Sequence, residues 1–185
     1  MEKNSIHSKI EPMQNKIWGA DMEQLIIEKY TQKDLPEMMK IWNLVVEAGQ
    51  AFPQEDSLDL SGAEKFFQSQ TCCGVARKGL NGPVLGLYIL HPNNVGRCGH
   101  ICNASFAVLP EVEGKGIGRA LVQDCIQKAA MNGFRIMQFN AVVADNAGAR
   151  HLYEELGFNY LGLISEGFRD KSGRYKDICL YWRKL

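Results

Sequence analysis

The residues of this 185-residue chain best suited to chemistry are three glycines at alternate positions, Gly114, Gly116 and Gly118, with Lys115 and Arg119 among them. They stand between the apolar run Phe106-Ala107-Val108-Leu109-Pro110 and a proline-free amphipathic stretch that reads as a helix as far as Met131. Glycine lets the backbone turn tightly and approach a ligand closely, so the N–H groups around Lys115 to Arg119 can point at one anion. Those groups open a helix, where they lack intrahelical partners, and the helix dipole adds partial positive charge at the same place. Lys115 and Arg119 add full charges. The arrangement is a cradle for a diphosphate.

Other chemistries fit less well. A dinucleotide fingerprint needs a glycine where this chain has Leu121, counting from Gly116, or Arg119, counting from Gly114. A P-loop needs Ser or Thr after its lysine, and Lys115 is followed by Gly116. His7, His91, His100 and His151 form no triad or H-E-x-x-H pattern, and there is no G-x-S-x-G elbow. Cys98-x-His100-x-Cys102 lacks a second pair at zinc spacing, so core packing explains it better and no metal is expected. Cys72, Cys73, Cys98, Cys102, Cys125 and Cys179 read as reduced core thiols, since neighbours along a strand point to opposite faces and most of the six lie in apolar patterns. Lys+Arg and Asp+Glu are equal at 21 each, which gives no field favouring nucleic acid or a membrane surface; a small-molecule partner is expected. No run approaches the roughly 20 apolar residues of a membrane span, and the first 22 residues lack a signal segment, so the expected location is cytoplasmic.

The elements that must position the cradle follow from periodicity. Residues 1–22 read as an arm, disordered or packed on a partner subunit, before one domain at 23–185. Leu25 to Thr31 is a strand, after which Asp34 caps a helix that buries Leu35, Met38, Met39, Trp42, Val45 and Val46 and ends at Gly49. A loop containing Phe52 precedes a short helix around Gly62 to Gln68. Cys73–Lys78 and Val84–His91 form a hairpin, and His100–Leu109 is the strand entering the glycine turn. Ile136–Val143 is a buried strand, Asn146–Leu156 a helix, and Tyr160–Ser165 and Ile178–Trp182 close the sheet. This order implies a parallel pair inside a mostly antiparallel sheet. Asn103 and Asn140 lie inside otherwise apolar strands, where a buried amide needs partners; structural hydrogen bonds between the strands would supply them. Asn146 and Tyr153 are two helical turns apart on nearly one face, and taken alone read as a helix N-cap and a packing residue.

Two signatures, E-G-K-G-I-G-R-A-L after Phe106–Pro110 and F-N-A-V-V-A-D-N-A-G-A-R-H-L-Y-E-E-L-G-F from Phe139 to Phe158, resemble the GCN5-related N-acetyltransferases (GNAT). The first is similar to that family's acetyl-coenzyme A loop, the second to its fifth strand and fourth helix, and together they cover about residues 100–160. The resemblance implies an α/β domain, with a mixed, mostly antiparallel sheet of about six to seven strands splayed in the middle and flanked by about four helices. It implies acetyl-CoA as co-substrate and no metal, with cofactor contacts at Phe106, Ala107, Val108, Glu113, Gly114, Lys115, Gly116, Ile117, Gly118, Arg119 and Asn146. It implies that Tyr153 protonates the departing sulfur, and that a backbone N–H near Val108 stabilises the carbonyl oxygen. One departure stands out: the family usually has Arg or Gln where this chain has Glu113, whose side chain should then point to solvent while the backbone binds.

On the acceptor side, the resemblance makes Phe52 a pocket wall, with an aromatic plug under a loop as the simpler reading. H-P-N-N-V-G-R-C-G-H-I-C-N-A-S-F-A-V and F-N-A-V-V are similar to fungal proline-analogue (azetidine-2-carboxylate) acetyltransferases, in which asparagines like Asn103 and Asn140 contact the acceptor. An amine with a pKa of about 10.4 is almost wholly protonated near pH 7 and must lose a proton before it attacks. Glu111, Glu166 and a water relay are the candidates for that step, and Glu166–Asp170 reads as a late loop near the acceptor or a dimer contact, with plain loop solvation as the simpler reading. The expected activity is acetyl transfer to a small amine or amino acid, in a homodimer if the family habit holds. A protein-amine acetyltransferase and a non-catalytic acyl-CoA sensor are the alternatives.

Overall fold

The most continuous buried runs of the chain are residues 73–77 and 84–90, where Val, Leu, Ile and Tyr stand among small residues, and there the sheet is most deeply covered. The computed structural model describes residues 24–185. Seven strands, β1 (Leu25–Lys29), β2 (Cys72–Lys78), β3 (Val84–Pro92), β4 (Ile101–Val108), β5 (Ile136–Val143), β6 (Asn159–Arg169) and β7 (Tyr175–Lys184), form one sheet in the order β1-β2-β3-β4-β5-β7-β6. Helices α1 (Leu35–Ala48) and α2 (Leu60–Gln68) cover one face, with Trp42, Phe67, Leu87 and Ile89 in that core. Helices α3 (Ile117–Met131) and α4 (Ala147–Glu155) cover the other, over Tyr88, Leu121, Met137, Phe139 and Tyr181. This is the splayed, mixed, seven-stranded sheet with four helices expected from the sequence.

All neighbouring strands run antiparallel except β4 and β5. These two pair in parallel only at Ile101 with Ile136 and at Cys102 with Met137. Beyond Cys102 they part, because β5 follows β7 instead and bulges between Phe139 and Val142. From Asn103 onward β4 therefore has a free edge on that side.

Several boundaries differ from the sequence reading, each for a local reason. Asp34 precedes α1 as expected, but its carboxylate does not cap the helix. It accepts instead from the Thr31 N–H at 2.7 Å and from Arg77 Nη2 at 2.7 Å, and although burial alone would raise its pKa, these partners hold it below the usual carboxylate value. Gly49 stops α1 at φ 61°, and a Cβ there would lie 2.6 Å from Cβ of Lys171, so a larger residue meets both strain and a clash. β6 was expected to end near Ser165, with a loop from Glu166 to Asp170. It runs on to Arg169, because β7 continues to pair with it after a register shift between Ile164 and Phe168, where Glu166 takes φ 54°.

All six cysteines are free, but Cys98 lies exposed in a short 3-10 turn and is not the core thiol expected. Among the described residues no helix is long and apolar enough to cross a membrane. The proposed N-terminal arm, residues 1–22, lies outside the described residues.

Candidate active site

Where β4 and β5 separate, a cleft of about 980 Å³ opens through the middle of the sheet. Its first wall is the start of α3. Gly114 and Gly116 sit at φ 73° and 80°, so the turn uses left-handed backbone at both. Gly116 is the helix N-cap, no side chain caps it, and the first bond of the helix runs from the Ala120 N–H to the Gly116 carbonyl. Among the described residues, the N–H groups from Gly114 to Arg119 have no hydrogen-bond partner. An open row of donors at the positive end of a 15-residue helix, with room for an anion beside it, suits a diphosphate.

The side chains around this turn are arranged less simply than the sequence suggested. Glu113, Gly114, Ile117 and Gly118 line the cleft, while Lys115, Gly116 and Arg119 do not. Lys115 Nζ donates to the Glu111 carbonyl at 3.2 Å. Arg119 forms an ion pair with Glu155 on α4, so its charge is largely compensated, contrary to the expectation of a free cation at the cradle. Glu113 lies exposed at the mouth, where water screens it.

The second wall is the free edge of β4, where Phe106, Ala107 and Val108 line the cleft. The Leu109 N–H donates to the Leu85 carbonyl on the β3 side at 2.9 Å. Backbone groups alternate in an antiparallel ladder, so the neighbouring Val108 N–H faces the open edge. A carbonyl or amide chain laid along this edge would find backbone partners there.

The floor comes from α4. Asn146 caps that helix, its Oδ1 accepting the Ala149 N–H at 3.0 Å, so the N-cap reading is realised while the residue also lines the cleft. Two turns on, Tyr153 enters an aromatic cluster, with ring centroids 4.5 Å from Phe139, 5.7 Å from Phe158, 6.2 Å from Tyr181 and 6.4 Å from Phe106. Burial, with a smaller contribution from Cys125, pushes its pKa above the ordinary tyrosine value. Among the described residues its hydroxyl has no hydrogen-bond partner. It is a protonated phenol facing a cleft, oriented by packing alone.

The far end is closed by the α1–α2 loop. Phe52 is buried, stacks on Trp42 at 4.4 Å between ring centroids and lines the cleft, so it is wall and plug together. Opposite lie Asn103 and Asn140. Asn103 is half-buried, and its Oδ1 accepts the Ala104 N–H at 2.8 Å. Asn140 is exposed to the cleft rather than buried; it shares two amide hydrogen bonds with Asn93, at 2.5 and 3.3 Å, and accepts from Gln138 Nε2 at 2.9 Å. Glu111 and Glu166, the carboxylates suggested as bases, both lie exposed on the surface and outside the cleft lining, on a turn and on the β6 bulge.

Sequence reasoning missed Asn93, Gln138, Gln54, Gln70 and His91. The last three line the cleft, and Asn93 and Gln138 hold Asn140. No local pattern marks His91 or Asn93, since β3 meets β4 by register and Asn93 meets Asn140 across 47 positions of chain, whereas Gln138 stands two residues before Asn140 on the same face of β5.

With this geometry in view, four likenesses are informative. A sequence model of the acetyltransferase (GNAT) family matches residues 35–158. N-acetyltransferase aca1 of Schizosaccharomyces pombe is 33% identical over 180 residues, spanning 89% of this chain and 86% of that protein. A GCN5-related N-acetyltransferase from Kribbella flavida superposes with a TM-score of 0.80 at 32% identity, over 87% of this chain and 98% of that one. An acetyltransferase from Salmonella typhimurium, solved with its cofactor acetyl-CoA, shares the fold, with a TM-score of 0.80 at 22% identity over 87% and 94% of the two chains.

Proposed function

The chain belongs to the GNAT family of acetyltransferases, and on that premise we propose that it moves the acetyl group of acetyl-CoA to the amine of a small molecule, an amino acid or a close analogue. The observation that carries this reading is the separation of β4 from β5, which opens one cleft between an unpaired row of N–H donors and Tyr153. The residues present fit acetyl-CoA. The turn from Gly114 to Arg119 would take the diphosphate on its backbone, the open edge of β4 the extended arm, and Asn146 a cofactor amide. The thioester supplies an activated acyl carbon. The Val108 N–H faces the place where charge would develop on its oxygen, and Tyr153 holds a proton for the departing sulfur.

A small acceptor is favoured by how the far end is closed. The β6–β7 hairpin is tied to the α1–α2 loop by Arg169 to Glu55 at 2.6 Å and Lys176 Nζ to Gln50 at 2.9 Å, and to the last turn of α1 by Lys171 Nζ donating to the Glu47 carbonyl at 2.8 Å. These ties hold the α1–α2 loop, with Phe52 and Gln54, beside the amide-lined end of the cleft. The amides of Asn103 and Asn140 suit an amino-acid acceptor, and the likeness to a fission-yeast N-acetyltransferase supports a fungal-type subgroup. The same reading has the enzyme in the cytoplasm, where six free thiols are stable, and pairs two copies through the exposed apolar residues of β6, Tyr160, Leu161 and Leu163.

Thiol release from acetyl-CoA is the test, measured across free amino acids, cyclic secondary amines, polyamines and peptides. Turnover with one class of small amine supports the proposal. Turnover with peptides alone would move the acceptor to proteins, and tight acetyl-CoA binding without turnover on any amine would favour a sensor.

A further inference from the structure

Amine attack needs a base, and among the described residues the cleft narrows the choice to one side chain. Of the side chains lining it, His91, Glu113 and Tyr153 are the titratable ones. Glu113 sits beside the glycine turn at the diphosphate end, and Tyr153 is held protonated by burial. His91 lies at the other end, on β3, directly across from Asn103 on β4, so the two side chains share a face. Asn103 is also the first β4 residue beyond the parallel pairing, at the point where the strands open.

The imidazole is oriented as a base requires. His91 Nδ1 lies 3.0 Å from the Pro92 carbonyl. A carbonyl oxygen only accepts, so in the neutral ring this bond places the proton on Nδ1 and leaves the Nε2 lone pair free. Among the described residues Nε2 has no partner. The cleft-lining side chains on the elements around it are Asn103 and Ser105 on β4, Asn140 on β5, and Gln54 and Gln70 from the loops at either end of α2, none of them titratable.

We propose that His91 is the general base of the reaction, removing the proton from the acceptor ammonium. The inference rests on the acetyltransferase reading above. His91 Nε2 takes one proton from the ammonium, and the freed amine forms the C–N bond as the C–S bond breaks. Tyr153 gives its proton to the sulfur and is restored by the second proton leaving nitrogen. Protonated His91 then releases its proton to solvent. The sum is amide, thiol and one proton.

The test uses His91→Gln and His91→Asn, with two acceptors that the wild type turns over: one of pKa near 10, and one, such as an arylamine or hydrazide, that is already neutral at pH 7. For the basic amine, kcat/KM is expected to fall about 100-fold in both variants. The neutral amine should lose less than threefold, because it has no proton to surrender before attack. The acid limb of the wild-type pH profile should give way to a rise that continues to the amine's own pKa. His91→Asn retains a donor for the Pro92 carbonyl, so its loss separates the base from a positioning role, and an unchanged acetyl-CoA-induced shift in melting temperature verifies folding. Equal losses on both amines, or a variant with the wild-type pH profile, would overturn the assignment while leaving the acetyltransferase reading intact. Absence of thiol release by the wild type with every amine would overturn both.

Discussion

Replacing Tyr153 by Phe removes one oxygen from the cleft and nothing else. The ring stays among Phe106, Phe139, Phe158 and Tyr181, whose centroids lie 4.5 to 6.4 Å away. Its hydroxyl has no partner among the described residues, so no hydrogen bond is lost and stability should change by less than about 1 kcal/mol. The kinetic cost is of another size. A positioned acid contributes roughly 10²- to 10⁴-fold, which is about 2.7 to 5.5 kcal/mol of barrier. Burial raises the Tyr153 pKa above the tyrosine norm, so the acid form persists through the whole range in which the enzyme can be assayed, and this group causes no alkaline fall in rate up to about pH 10. Steady-state thiol release, with urea unfolding in parallel, separates the two effects. A Tyr153→Phe enzyme with the wild-type melting curve and a kcat lowered at least 100-fold agrees with the reasoning. A loss below about threefold, or one matched by unfolding, refutes it.

Three further changes probe the cradle and the β6–β7 hairpin. Gly116→Ala places a Cβ on left-handed backbone at φ 80°, which should cost about 1–2 kcal/mol in urea unfolding and raise the KM for acetyl-CoA. Glu113→Gln removes a carboxylate at the mouth of the cleft beside the glycine turn; if the turn holds the diphosphate, acetyl-CoA should bind roughly two- to fivefold tighter at low salt, with the gain fading as salt is added. Asp170, buried between β6 and β7, is held down to about 2, chiefly by the Ser172 hydroxyl, with burial opposing and the N–H groups of Arg174 and Ser172 adding to it. A depressed carboxyl contributes stability above about pH 4 and loses it as pH falls toward 2, so Asp170→Asn should flatten the fall in urea midpoint across that window.

The parts of the molecule legible in the sequence are those set by local chemistry. Alternate glycines before an amphipathic run specify a left-handed turn and an uncapped helix start, and α3 begins at Ile117 as that pattern requires. Asn103 and Asn140 stood out as polar residues in apolar strands, and both face the cleft at the splay. Half of what holds Asn140 was not legible, because Asn93 reaches it across 47 positions only once β3, β4 and β5 are aligned, whereas Gln138 is two residues away on the same strand. The same is true of His91, an ordinary strand residue until its register with Asn103 is known. Arg119 read as a free cation because Glu155 lies 36 positions away on another helix. The string Ser165-Glu166-Gly167 read as the end of a strand, whereas pairing with β7 carries β6 through a bulge to Arg169. In each case a long-range partner decided what local composition left open.

The central claim is that the row of unpaired N–H groups at the start of α3 receives the diphosphate of acetyl-CoA. Residue-resolved amide hydrogen exchange, with and without saturating coenzyme A, tests it directly. Amides from Gly114 to Arg119 have no partner among the described residues, so they should exchange fast in the free protein and slow at least tenfold on binding, more than any other continuous segment. Exchange at these positions unchanged by saturating coenzyme A, with protection appearing elsewhere, would contradict the account.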